Sequence, residues 1–112
     1  MITSLQNNRI REARSLQRRR ARRAHGKLLI EGVRLIGDAL ASELLPEPLF
    51  FAPELIDQTT PAADLLQQAT TLEVELAPCS PAVLRSLTET VTPQGVAAVV
   101  PLPHLPLPLS LI

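Results

Sequence analysis

Residues 27–40 read Lys27-Leu28-Leu29-Ile30-Glu31-Gly32-Val33-Arg34-Leu35-Ile36-Gly37-Asp38-Ala39-Leu40, and the hydrophobic period changes in the middle of them. Leu28, Leu29 and Ile30 form a continuous apolar run between Gly26 and Gly32, the pattern of a strand buried on both faces. Beyond Gly32, Val33, Ile36, Leu40 and Leu44 recur at helical spacing. They predict a helix over about 33–45 that stops before Pro46. A buried strand feeding straight into an amphipathic helix is how an α/β domain begins.

Working outward toward the C-terminus, the alternation continues. Leu49-Phe50-Phe51-Ala52, flanked by Pro48 and Pro53, is a second strand. Thr60-Pro61 starts a helix with proline at its first position, and Leu65, Leu66 and Ala69 supply its apolar face. Leu72-Glu73-Val74-Glu75-Leu76 alternates strictly, predicting an edge strand with one wet face that carries Glu73 and Glu75. Ser80-Pro81 opens a short helix with Val83, Leu84 and Leu87, and Val96 to Val100 is an apolar strand expected near the sheet centre. With a helix over about Asn7–Leu16, the order is α–β–α–β–α–β–α–β. That order predicts a three-layer α/β/α sandwich with a mainly parallel four-stranded sheet. The last twelve residues, PLPHLPLPLSLI, are too rich in proline for a sheet interior and read as an extended segment packing on another domain. The expected division is a basic helix and arm over 1–26, an α/β core over 27–101 and a Pro/Leu-rich linker over 102–112.

Toward the N-terminus, charge dominates. Nine of the eleven basic residues lie between Arg9 and Lys27. Residues 1–34 hold ten basic and two acidic residues, whereas residues 35–112 hold one basic residue, Arg85, and nine acidic ones. The formal net charge of zero thus hides a strong asymmetry, which points to a polyanion bound by one end. Nucleic acid fits best, because arginine grips phosphate with a bidentate fork and stacks on bases. On one continuous helix, Arg11, Arg14, Arg18 and Arg22 share a stripe opposite Ile10, Ala13, Leu16, Ala21 and Ala24, with Arg9 and Arg20 interrupting the apolar side. A docked helix to about residue 17, followed by an arm ordered by its partner, is therefore expected. The expected contacts are Arg9, Arg11, Arg14, Arg18, Arg19, Arg20, Arg22, Arg23 and Lys27. A solvated helix face would interleave both signs, and here only Glu12 does so.

Three stretches carry a family resemblance: ITSLQNNRIREARSLQ (2–17), LLIEGVRLIGDAL (28–40) and LRSLTETVTPQGVAAVVPLP (84–103). In this order they resemble the N-terminal substrate-binding domain of SpoU/TrmH-type RNA 2′-O-ribose methyltransferases, over roughly residues 2–103. The most specific pieces are Glu31-Gly32 and Thr92-Pro93-Gln94-Gly95. The resemblance implies a fold similar to kink-turn-binding ribosomal proteins, and structured RNA (rRNA or tRNA) as partner. It also implies a separate knotted catalytic domain that binds S-adenosylmethionine and usually forms a homodimer. Two departures stand out. Asn7-Asn8-Arg9 replaces a frequent Asn-Pro-Arg, which keeps the helix cap and the arginine. The catalytic signatures, an Asn-Pro-Gly-Asn type motif and a Ser-Leu-Asn loop, occur nowhere in these 112 residues. The expectation is an RNA-binding domain that is not catalytic by itself and holds no cofactor or metal.

Other motifs are weak. Cys79 precedes a helix start, but no histidine is placed to activate it, so it reads as an inert thiol. His25 sits among the arginines and reads as one more contact; His104 lies in the proline tail. The absence of Trp and Tyr, with Phe50 and Phe51 expected in the core, argues against recognition by base stacking. Glu31 is expected either to cap the following helix or to hold an arginine, and Gln94 to sit in a turn within reach of RNA. One cysteine and no apolar run of membrane length point to a cytoplasmic protein with no membrane partner. Two further readings are a protein-interaction or dimerisation domain using the leucine-proline tail, and a stand-alone structured-RNA binder.

Overall fold

The structure, a computed structural model, describes residues 1–57, 60–89 and 94–102. The Thr92-Pro93 half of the expected turn and nearly all of the Pro/Leu tail lie outside the described residues. Two short helices come first, α1 (Asn8–Ser15) and α2 (Arg19–His25), then strand β1 (Lys27–Glu31), helix α3 (Val33–Ala41) and strand β2 (Leu49–Phe51). A 3-10 turn over Pro53–Leu55 leads to helix α4 (Pro61–Thr71), strand β3 (Leu76–Pro78), helix α5 (Pro81–Ser86) and strand β4 (Val96–Pro101).

The sheet order is β1-β4-β2-β3. This corrects the expected mainly parallel sheet. β2 and β3 pair in parallel, but β4 is antiparallel to both of its neighbours, β1 and β2. The three strands joined by helical crossovers therefore share one direction, and the reversed β4 is inserted between two of them. Its run of apolar residues encodes burial on both faces but not direction. Small side chains at Ala97 and Ala98, both fully buried, let helices close over both sides of it.

Helices cover both faces, so the three layers are present. On one face α3 and α4 bring Ile36, Leu40 and Leu65 onto Leu28, Ile30, Leu49 and Val96. On the other, α1 and α5 bring Ile10, Leu16, Val83 and Leu84 onto Phe50, Ala77 and Val99. Phe50 and Phe51 point to opposite faces, as neighbours in a strand must. Burying an Ile, Leu or Phe side chain contributes about 1.5–3 kcal/mol, and these two clusters carry most such groups.

Two local corrections have clear causes. The segment over 72–75 is not strand. Leu72 is the C-cap of α4, Glu73 adopts φ 60°, and the Glu73 and Val74 N–H groups donate back to Thr70 O and Ala69 O. This is a Schellman closure in which Val74 provides the apolar contact. α3 ends the same way over Ser42–Leu44, with Glu43 at φ 62°, short of the expected residue 45. The N-terminal helix also breaks. Leu16 is buried and ends α1, and Arg18 is extended (φ −104°, ψ 135°) before α2 begins. A continuous helix would have turned Arg20 onto the buried face; the break leaves it exposed. The expected arm is thus a helix in its own right.

Candidate nucleic-acid interface

The basic residues gather around the corner between α1 and α2. α1 is anchored by Ile10 and Ala13, both essentially buried, and by Asn7, whose side chain accepts from the Arg9 and Ile10 N–H groups. Gln17, in the corner, donates from Nε2 to Ser86 O (3.2 Å), tying the corner to the end of α5. The break divides the single arginine stripe into two banks. Arg11 and Arg14 stand on α1, and Arg18, Arg19, Arg20, Arg22 and Arg23 stand on or beside α2. On one continuous helix Arg14 and Arg18 would stand four residues apart and repel; the break separates them onto two helices.

The nine expected contacts do not behave alike. Arg9 forms a bidentate pair with Glu75 (2.9 and 2.8 Å) across the β3 edge, which occupies its guanidinium fork. Lys27 Nζ lies 3.5 Å from Glu12. Arg11, Arg14, Arg18, Arg19, Arg20 and Arg23 are exposed and form no ion pair among the described residues. Arg22 is half-buried and lines a groove beside β1. His25 is exposed at the end of α2.

One contributor was not visible in the sequence. Arg85 is exposed in the last turn of α5, next to the Ser86 carbonyl that Gln17 binds. The one basic residue of the acidic remainder is thus folded back beside the arginine corner. Only the tertiary contact reveals it, because 62 residues separate it in sequence from Arg23.

The two most specific motifs meet at one corner of the fold. Gln94 Oε1 accepts from the Val33 N–H (2.8 Å), capping an α3 whose N-cap residue, Gly32, has no side chain to do so. Gly32 has φ 90°, and a Cβ there would lie 3.2 Å from that same oxygen. Gly95 has φ 87°, and a Cβ there would lie 2.8 Å from Ile56 Cγ1, so only glycine fits. Glu31 takes neither of its two expected roles: its Oε2 accepts from the Glu89 N–H (2.8 Å). Gln94 is likewise committed to the fold through Oε1.

The remaining candidates separate cleanly. Glu73 belongs to a helix cap and Glu75 to Arg9, so they are not a carboxylate pair. Burial pushes the Cys79 thiol up to about 11, and its Sγ lies 3.5 Å from Phe51 O, in keeping with an inert thiol. His104 lies outside the described residues. Among the described residues no cluster of His, Cys, Asp or Glu could hold a metal ion, and no helix is long and apolar enough to cross a membrane.

These elements define a three-layer α/β/α domain with an arginine bank on one flank. The chain belongs to the MRM3-like substrate binding domain family, whose model matches residues 7–98. The expected resemblance to SpoU/TrmH-type methyltransferases is borne out. The chain is 37% identical over 94 residues to the rRNA methyltransferase 3A, mitochondrial, of Danio rerio, covering 83% of this chain and 20% of that protein. It is similar to a solved RNA 2′-O ribose methyltransferase, with a TM-score of 0.77 and 30% identity over 96% of this chain and 39% of the other. It is also similar to the SpoU methyltransferase AviRb of Streptomyces viridochromogenes bound to AdoMet, with a TM-score of 0.67 and 26% identity, covering 87% and 34% of the two chains. The chain therefore spans about a fifth of the curated relative and between a third and two-fifths of these solved proteins.

Proposed function

We propose that this domain grips structured RNA, ribosomal RNA foremost, for an S-adenosylmethionine-dependent 2′-O-ribose methyltransferase. Holding the RNA orients a ribose hydroxyl toward a separate catalytic domain of the parent enzyme. In this reading residues 102–112 are the linker to that domain, and dimerisation belongs to the catalytic part. Transfer RNA is the second substrate class the same chemistry would accept.

The carrying observation is the exposed set Arg11, Arg14, Arg18, Arg19, Arg20 and Arg23, without an ion pair among the described residues, on two helices that meet at a corner. Six basic residues within ten positions, Arg14, Arg18, Arg19, Arg20, Arg22 and Arg23, have no compensating acid among them and repel one another until phosphates neutralise them. The described residues do not fit S-adenosylmethionine. Gly26, Gly32, Gly37 and Gly95 stand singly and build no cradle. The groove beside β1 holds about 250 Å³, less than the roughly 300–1,000 Å³ typical of sites for drug-sized ligands. No step of methyl transfer is assigned to this chain.

The test is salt-dependent binding of labelled ribosomal RNA fragments to the full chain. If the α2 bank neutralises five phosphates of a single-stranded site, log K falls against log salt with a slope of about −3.5. Replacing Arg18, Arg19, Arg20, Arg22 and Arg23 with alanine should remove most of that slope and the affinity with it. Unchanged affinity in that variant would sink the assignment.

A further inference from the structure

The two edges of the sheet are finished differently. At β3, Ile2 of the N-terminal segment forms an isolated bridge to Cys79, with the Ile2 N–H donating to Pro78 O and the Ser80 N–H to Ile2 O (both 2.9 Å). At β1 no strand among the described residues pairs with the outer edge. The ladder to β4 is bounded by the Leu102 N–H donating to Gly26 O and the Gly32 N–H donating to Val96 O. Antiparallel alternation then turns the backbone groups of Leu28 and Ile30 toward β4, and those of Leu29 and Glu31 away from it. That outward side opens into the groove of about 250 Å³, walled by Leu16, Leu35 and Leu87, with Gln17, Arg22, Glu31 and Glu89 as its polar lining.

The contents of this groove match one kind of occupant. Its apolar walls suit the faces of a flat ring, while the Leu29 N–H and C=O offer a donor and an acceptor at its floor. Arg22 belongs both to the groove and to the arginine bank, so whatever enters is attached to the phosphates that the bank holds. Sequence-selective RNA binding works by taking up single unstacked bases whose edges can then be read. Of the two carboxylates that line it, Glu31 is the one fixed by a hydrogen bond, and it decides which base. Glu31 is held by the Glu89 N–H at Oε2, which uses one of its roughly four acceptor sites and leaves it without a donor to offer. Guanine alone among the four bases presents two adjacent donors, N1–H and the N2 amino group, that a carboxylate can accept together.

Resting on the RNA-binding reading above, we infer that the β1-edge groove takes one unstacked guanine of the bound RNA. Glu31 accepts from its Watson–Crick edge and Arg22 holds an adjoining phosphate. Base selectivity thus enters a domain without Trp or Tyr, through a sheet edge and a carboxylate in place of an aromatic platform.

The experiment uses the full chain and a labelled RNA stem–loop with one bulged nucleotide, varied as guanine, adenine, cytosine, uracil or hypoxanthine. Fluorescence anisotropy at fixed salt should show guanine preferred over adenine or uracil on the order of tenfold, the discrimination expected of a two-bond contact. Hypoxanthine, which lacks the N2 amino group, should fall between. Glu31→Gln, which puts a donor in place of one acceptor, should collapse the guanine-to-adenine ratio toward one, with circular dichroism reporting an intact fold. Equal binding of all five probes, or a guanine preference that survives Glu31→Gln, overturns the inference. So does concentration-dependent dimerisation that blocks RNA uptake, since a second copy would then own the β1 edge. Selectivity can fail while the five-arginine variant still loses affinity for every probe; the guanine site then falls and the RNA-binding reading stands. Binding indifferent to those arginines removes both.

Discussion

α1 and α2 are built from nearly the same residues and are held in opposite ways. α1 (NRIREARS) buries Ile10 and Ala13, leads into the buried Leu16 and is capped by Asn7. α2 (RRARRAH) buries nothing, has no side-chain cap and starts at Arg18-Arg19-Arg20, where the positive end of the helix dipole meets positive charge. Isolated helices of this length are marginal in water. The first helix is therefore fixed by the core, whereas the second is held only by Ala21 packed on the core and the Gly26 cap. A single basic run serves as an anchor at one end and, in the proposed function, as a hand at the other.

Breaking the anchor should have the largest effect. Ile10→Ala removes a fully buried side chain and is expected to cost about 2–5 kcal/mol in urea denaturation of the full chain. Ala21→Gly on α2 should cost less, about 1–2 kcal/mol, from lost helix propensity and one half-buried methyl. Cys79 separates the two effects without denaturant. It is buried in the same cluster as Ile10, so a thiol reagent at pH 8 reaches it only when that cluster opens. Labelling should accelerate strongly in Ile10→Ala and hardly at all in Ala21→Gly. Similar rates in both variants would mean that the helices open as one unit.

What the sequence disclosed follows the same division. Features written in consecutive residues were legible: the 27–40 strand-to-helix change, Thr60-Pro61 and Ser80-Pro81 as helix starts, and β4 as an inner strand. Features that depend on distant partners were not. The direction of β4 is set by where it enters the sheet, so the sheet came out mixed. Leu72-Glu73-Val74-Glu75-Leu76 alternates like a strand, but Val74 is buried as the apolar contact of a Schellman cap and only Leu76 enters β3. Among the site residues, the basic bank was legible as composition. That Arg9 is engaged by Glu75, that Arg85 joins the corner and that Gln94 caps α3 each rest on contacts 60 or more residues apart in sequence.

The next effect concerns the caps. Asn7→Ala should destabilise the chain by about 1 kcal/mol, since two N–H groups of α1 lose their acceptor. At α2 the reverse substitution is informative. Arg18→Asp supplies the missing cap and a charge that suits the dipole, so amide exchange in α2 should slow while RNA affinity falls. Stability and binding then move in opposite directions at one residue, as expected if the helix start is left uncapped for the sake of phosphate contact. If Arg18→Asp lowers both, α2 draws its order from the arginine itself and the division between anchor and hand is wrong.

The smallest effect tests where the hand begins. The Arg9–Glu75 pair is solvent-exposed on both sides, 43% and 60% for the two side chains, and such pairs contribute about 0.2–1 kcal/mol. A double-mutant cycle over Arg9→Ala and Glu75→Ala should return a coupling in that range and lose it at high salt. The pair also makes a binding prediction of definite sign. If Arg9 belongs to the anchor, Arg9→Ala leaves the salt slope of RNA binding as it was. Glu75→Ala then frees a guanidinium and strengthens binding slightly. If RNA instead competes Arg9 away from Glu75, Arg9→Ala lowers the slope by just under one phosphate contact, and the boundary of the grip moves back to the first turn of α1.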